Sequence, residues 1–260
     1  MLSEIKIEAK DISKHFEQKL ALSSASFSIH QGELIALIGP SGAGKTTLLN
    51  ILAGNLPADS GKVLIDQRPL STYRNRKAFA KKIGVIRQQF DLIKPIAVIH
   101  NVLAGKLADW GLLKSIFSLL FPQEKELALK ALERVGLTTK AYEITSTLSG
   151  GEQQRVAVAR LLVQEPEIIL ADEPVASLDP ARANDLLALL TGIVLEQKQT
   201  LIASLHSVEY ARKYFTRIIS LKNGELFFDL PTEKVTDGML KDLYQLKGEG
   251  VNDHPFPTSS

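Results

Sequence analysis

The 260-residue chain contains no cysteine, which excludes a disulfide framework and any thiolate chemistry. It also lacks an excess of charge of either sign. Its 31 Lys+Arg against 29 Asp+Glu leave a formal charge of +2, too little to draw in nucleic acid by bulk electrostatics, so no nucleic-acid partner is expected. The longest nearly apolar stretch, 186–195, is interrupted by a threonine and falls well short of the roughly 20 residues that a spanning helix needs. Any membrane role must therefore come through partner subunits. No repeat recurs at solenoid periods, and no linker separates halves of unlike composition. The first residues, MLSEIKIEAK, carry charges where a secretory leader needs an apolar run, so the chain is expected to stay in the cytoplasm. What remains is an ordinary globular composition, 45% hydrophobic and 23% charged, with ample length for a core.

Three short apolar runs, 33–38, 167–171 and 200–205, read as strands buried on both faces. Helical patterns follow them. Residues 45–53 place Leu48, Leu49, Ile51 and Leu52 on one helix that Gly54 can end, and Pro180 after Asp179 opens a helix over 181–197. Alternation of strand and helix implies an α/β fold with a mainly parallel sheet. The patterns at 5–12, 25–29 and 62–66 suit a separate antiparallel β subdomain. Near the carboxyl end, 217–221 and 225–229 flank Asn223-Gly224, a dipeptide suited to a two-residue hairpin turn. Between about 90 and 165 helical patterns dominate, including 124–135, and read as an inserted α-helical subdomain. The expectation is a single domain over 1–246 followed by a Gly-, Pro- and Ser-rich tail, 247–260, that is disordered. The basic run Arg74, Arg76, Lys77, Lys81, Lys82, Arg87 reads as a solvated face, with lipid head groups or a membrane partner as the alternative.

Residues 39–46, GPSGAGKT, fit the phosphate-binding pattern G-x-x-x-x-G-K-[ST] between a predicted strand and a predicted helix. Gly39, Gly42 and Gly44 allow the backbone close approach to phosphate oxygens. Pro40, Ser41 and Ala43 complete the loop, and Thr47 extends it into the helix. The helix start aims free N–H groups at the anion. Lys45 can reach the β and γ phosphates of a nucleoside triphosphate such as ATP, and the Thr46 hydroxyl can ligate the bridging Mg2+. The apolar strand 168–170 delivers Asp172 and Glu173 at its carboxyl end. Asp172 suits the Mg2+ shell, and Glu173 is the candidate general base for a water in line with the γ-phosphate.

A second anion-binding helix start follows in LSGGEQQR, residues 148–155. Ser149 offers a hydroxyl and Gly150 and Gly151 bare their amides, with Glu152 next in line. One chain does not need two such sites for one nucleotide. With this motif the sequence resembles the ATP-binding cassette (ABC) family over about residues 4–245, its elements in the family's order. The resemblance implies the ABC ATPase fold and a head-to-tail homodimer in the ATP-bound state, each signature closing over the partner's ATP. It implies that Gln88 approaches Mg2+ and the attacking water, that His206 contacts the γ-phosphate, and that Phe16 stacks on adenine. It also implies that Ser177, Leu178 and Asp179 form the D-loop. Two departures stand out: Glu152 where glutamine is common, and Arg87 where an aromatic residue usually precedes the loop glutamine.

Within the family, QQFDLI at 88–93, NVLAGKL at 101–107 and LADEPVASLDP at 170–180 look most similar to the phosphonate-import branch. That likeness implies integral membrane permease subunits as partners, an external solute-binding protein acting indirectly, and a peripheral place on the cytoplasmic face of the cell membrane. Phosphite and polar amino-acid importers are the neighbouring alternatives. The apolar stretch 110–121 suits either the core of the helical lobe or a docking groove. Rivals from other classes are a non-transport ABC ATPase, which commonly carries a long coiled coil or a second cassette, and a P-loop kinase, which would leave LSGGEQQR without a role.

Overall fold

The structure, a computed structural model, describes residues 4–17, 19–110 and 124–245. The tail at 247–260 and all of the apolar stretch except Trp110 lie outside these residues. Along the described chain run β1 (Ile5–Phe16), β2 (Lys19–His30), β3 (Leu34–Ile38), α1 (Lys45–Leu52), β4 (Ser60–Ile65), β5 (Arg68–Pro69), α2 (Arg76–Lys82) and β6 (Ile83–Ile86). They are followed by α3 (Val98–Leu103), α4 (Lys125–Arg134), α5 (Gly150–Gln164), β7 (Ile168–Ala171), α6 (Pro180–Glu196) and β8 (Thr200–Ser204). The chain closes with α7 (Val208–Tyr214), β9 (Arg217–Lys222), β10 (Glu225–Pro231) and α8 (Asp237–Tyr244).

Two sheets result. One is antiparallel in the order β2-β1-β4-β5, and the other runs β10-β9-β3-β8-β7-β6. In the second, β3 lies parallel to β8 and β9, and β7 lies parallel to β8 and β6; β10 joins antiparallel through the Asn223-Gly224 turn, both residues at positive φ. The parallel strands are apolar on both faces because both are covered, as a parallel sheet requires. Ile35 and Leu37 of β3, with Ile168 and Leu170 of β7, pack towards α1 and the antiparallel sheet. Leu34, Ala36 and Ile38, with Ile169 and Ala171, pack towards α3, α4, α5 and α6. Each Leu, Ile or Val fully buried in this way contributes about 1.5–3 kcal/mol relative to exposure. Trp110 packs against the second of these clusters, the one that contains the helical lobe.

Two features differ from the pattern-based expectation. β6 gives almost no strand signal, being four residues with a glycine inside. Gly84 is there because α5 crosses it so closely that a Cβ would meet Leu161 Cδ2 at 2.5 Å. The basic run is not a uniform solvated face. Lys82 turns inward to Asp66 and Glu167, while Lys77 and Lys81 approach Asp109 and Arg87 pairs with Asp91.

Candidate active site

Four neighbouring parallel strands end on one edge of the central sheet, and each feeds its next residues to the same place. β3 leads into 39–44, β8 into His206, β7 into Asp172 and Glu173, and β6 into Gln88. Ligands of such sheets are met at the carboxyl ends of the strands. The topology therefore brings Thr46 Oγ1 to 3.3 Å from Asp172 Oδ1 across 126 positions of sequence.

The loop is held tightly at its ends and is open in the middle. A Cβ on Gly39 would collide with the Leu221 carbonyl oxygen on β9, and one on Gly44 would meet Ala21 O on β2 at 2.5 Å. A Cβ on Gly42 would meet nothing within 4 Å. Ala43 is buried. Its amide donates to Pro40 O at 3.1 Å and its carbonyl accepts from Gly224 N at 3.2 Å, so the β9–β10 turn braces the loop. Ser41 and Thr46 are exposed and Thr47 half-buried at the start of α1. That start has no side-chain cap, which leaves backbone donors for an anion.

Lys45 is buried, its Nζ donating to Gly39 O at 2.7 Å and Pro40 O at 3.0 Å. Burial pushes its ammonium below the ordinary lysine range, opposed by the negative charges of Glu173 and Asp172. Glu173 sits at φ +49, with Oε1 2.6 Å from His206 Nε2. A His206 tautomer with its hydrogen on Nε2 donates to this carboxyl oxygen. Gln88 is exposed and lines a cavity of about 310 Å³ together with Thr46, Asn50 and Asp172. Phe16 ends β1 with its ring half-exposed. Lys14 Nζ lies 5.8 Å from the ring centroid, and the adjoining β2 is the strand that borders Gly44.

The signature residues gather elsewhere. Ser149 caps α5 in a reciprocal box: its amide donates to Glu152 Oε2 at 2.8 Å, and the Glu152 amide donates to Ser149 Oγ at 3.4 Å. Hydrogen bonds from the Ser149 hydroxyl and amide hold the Glu152 carboxyl below the usual carboxylate range. A Cβ on Gly150 would meet nothing within 4 Å, and Gly151 faces Leu178. Asp179 caps α6, accepting from Arg182 N at 3.1 Å. Ser149, Gly151, Glu152, Leu178 and Arg182 line a cavity of about 250 Å³ that none of Lys45, Thr46, Asp172 or Glu173 borders.

Sequence reasoning overlooks three side chains that fix this arrangement. Ser204 Oγ bonds both Asp172 Oδ1 and Glu173 N. From α5, Arg160 donates to Phe90 O and Asp91 O, both at 2.9 Å, two and three residues past Gln88. Asn101 binds the amide and carbonyl of Ile93 at 2.8 and 2.9 Å. Ser204 and Arg160 look like ordinary strand and helix positions, and Asn101, though it opens NVLAGKL, gives no local sign of its partner Ile93.

These residues fit a nucleoside triphosphate and a hard cation. The loop offers uncapped amides around an open cradle at Gly42, beside a buried ammonium held only by carbonyls. Thr46, Asp172 and Gln88 present oxygen donors of the kind Mg2+ prefers.

The ABC transporter family model matches residues 22–176. Phosphonates import ATP-binding protein PhnC 1 of Nostoc sp. is 44% identical over 253 residues, covering 96% of this chain and 96% of that protein. Its namesake in Halalkalibacterium halodurans is 40% identical over 241 residues, with 92% and 94% covered. Among solved structures, the dimeric bacterial ABC transporter cassette MJ0796 is similar at a TM-score of 0.76 and 32% identity, covering 87% of this chain and 98% of that one. Its post-hydrolysis dimer bound to ADP and Pi has a TM-score of 0.73 at 31% identity, with the same coverage. On fold, site and sequence together, the chain belongs to the ABC transporter family, as one of its ATP-binding cassettes.

Proposed function

We propose that this chain is the ATP-hydrolysing subunit of an importer for phosphonates or a related reduced-phosphorus oxyanion, working as a homodimer on the cytoplasmic face of a membrane. The observation that carries the enzymatic part is the convergence of Lys45, Thr46, Asp172, Glu173 and Gln88 with His206 at four adjacent strand ends. The names of the relatives, phosphonates import ATP-binding proteins, support the substrate class. Among the described residues no helix is long and apolar enough to cross a membrane, so permease subunits would supply the pore. A solute-binding protein would select the cargo outside.

In this reading residues 1–246 act as one domain, with the helical lobe at about 90–165 facing the permease. Lys45 exchanges its two carbonyl partners for phosphate oxygens, and the amides of 42–47 supply the rest of the cradle. Phe16 stacks on the adenine. Thr46, Asp172 and Gln88 would hold Mg2+, which would supply charge neutralisation to the phosphates. Glu173 takes the proton of the attacking water on its carboxylate, oriented by His206. Ser149, Gly150, Gly151, Glu152 and Asp179 lie outside this cluster and would complete the site of a second copy. Closure on ATP and opening after hydrolysis would then drive the permease.

The test is ATP hydrolysis in vesicles containing the co-purifying permease. Stimulation by a phosphonate-loaded binding protein is expected. Stimulation by a binding protein loaded with a polar amino acid, and not with phosphonate, would refute the substrate assignment.

A further inference from the structure

Glu173 is the second residue past β7, and its amide has left the strand ladder. The preceding amide, of Asp172, still donates to Ile86 O at 2.8 Å on β6. Glu173 also has its backbone in the left-handed region at φ +49, which a non-glycine residue occupies only when its surroundings enforce it. The Glu173 amide meets the side chain of Ser204, the last residue of β8, which is fully buried. Its hydroxyl accepts from Glu173 N at 2.8 Å and donates to Asp172 Oδ1 at 2.7 Å. A hydroxyl has one proton, so that donor is wholly committed to the carboxylate. Two residues on, His206 holds the other end of Glu173 at 2.6 Å. One short segment therefore grips Glu173 by backbone and side chain while turning Asp172 Oδ1 towards Thr46.

We infer that Ser204 is a positioning residue for hydrolysis: through one buried hydroxyl it registers the metal-side carboxylate, Asp172, against the water-side carboxylate, Glu173. This rests on the function proposed above. Ser204 is fully buried, and its hydroxyl is taken up by Glu173 N and Asp172 Oδ1. It acts through the two carboxylates, so its loss should fall on turnover and on Mg2+ dependence and spare nucleotide affinity, which depends on Lys45 and the loop.

The test compares the parent protein with Ser204→Ala and Ser204→Thr, using Mg2+ and ATP as probes. For Ser204→Ala, kcat is expected to fall about 10- to 50-fold, the weight of a hydrogen bond to a charged group. KM for ATP should stay within about twofold, and the Mg2+ concentration for half-maximal rate should rise severalfold. In nucleotide-free protein, hydrogen exchange at the Glu173 amide should accelerate at least about tenfold as its acceptor is lost. Ser204→Thr keeps the hydroxyl and should restore all these quantities. Ser204→Cys, nearly isosteric and a weaker hydrogen bonder, should show the same changes in milder form if alanine leaves a void that the strand does not tolerate. Parent-like kcat and Mg2+ dependence in Ser204→Ala, with the Glu173 amide deprotected, would overturn the role and leave a purely structural serine. Unchanged exchange would overturn it at the hydrogen bond itself. Absence of hydrolysis by the parent protein would instead refute the functional reading, and the role would fall with it.

Discussion

Replacing Glu173 by glutamine removes one charge and the proton acceptor while keeping the shape of the side chain. Its carboxylate lies 2.6 Å from His206 Nε2, and a glutamine carbonyl can accept the same hydrogen bond, so the surroundings need not move. General-base catalysis supplies about 10²- to 10⁴-fold in rate, so Glu173→Gln should lose about 3–5 kcal/mol of transition-state stabilisation. The ground state should change far less. Lys45 loses one of the two negative charges that oppose the effect of its burial, yet keeps Asp172 and its carbonyl partners. The assay pairs phosphate release under saturating Mg2+ and ATP with an ATP titration of the same protein. The prediction is near-abolished release with affinity within a few fold of the parent. Hydrolysis at the parent rate would refute the assignment of Glu173 as base, and loss of ATP binding would show that the residue serves binding instead.

Lys45→Met should lower ATP affinity by at least about 100-fold in the same titration. Its melting temperature should be no lower than the parent's, because an apolar chain of similar length replaces a buried ammonium. Gly39→Ala should weaken ATP binding by more than about tenfold with the fold intact by circular dichroism, since the new methyl must push the loop off the Leu221 carbonyl. Burial disfavours ionised Asp66, but hydrogen bonds from Lys82 and Lys6 outweigh it and hold the carboxyl below its ordinary value. Its stabilisation is therefore complete above the ordinary aspartate range and is lost as pH falls through the lowered value, below about pH 4. Asp66→Asn should cost about 1–2 kcal/mol near neutral pH and almost nothing in strong acid, read from melting curves across that range.

What was legible in the sequence is what is encoded locally. The loop 39–46 announces itself because its glycines, lysine and threonine act within eight consecutive residues, and the Asn223-Gly224 turn because positive φ is a property of those two residues. The start of the helix over 181–197 was readable from Pro180 after Asp179, and that at 148–155 from its glycines, whereas the reciprocal cap between Ser149 and Glu152 emerges only in the structure. Partnership across the fold was not. Ser204 sits in an apolar strand, and its partners lie 31 and 32 positions away. Lys6 looks like an exposed residue of an edge pattern, yet it is buried between Asp66 and Glu167, which tie the two sheets together. β1 and β2 run to 12 residues each, longer than the alternation suggests, because irregularities in their register break the period that marks a strand.

The central claim is that a complete site needs two copies of the chain, the loop of one facing the signature of the other. Because the sequence contains no cysteine, Ser41→Cys in one copy and Ser149→Cys in another create a single defined thiol in each. With Glu173→Gln in both copies to stop turnover, the mixture is treated with a short bifunctional maleimide. The account predicts efficient cross-linking of unlike copies in the presence of ATP and Mg2+, and little without nucleotide. Equal cross-linking with and without ATP, or a protein that stays monomeric with ATP bound, would contradict it.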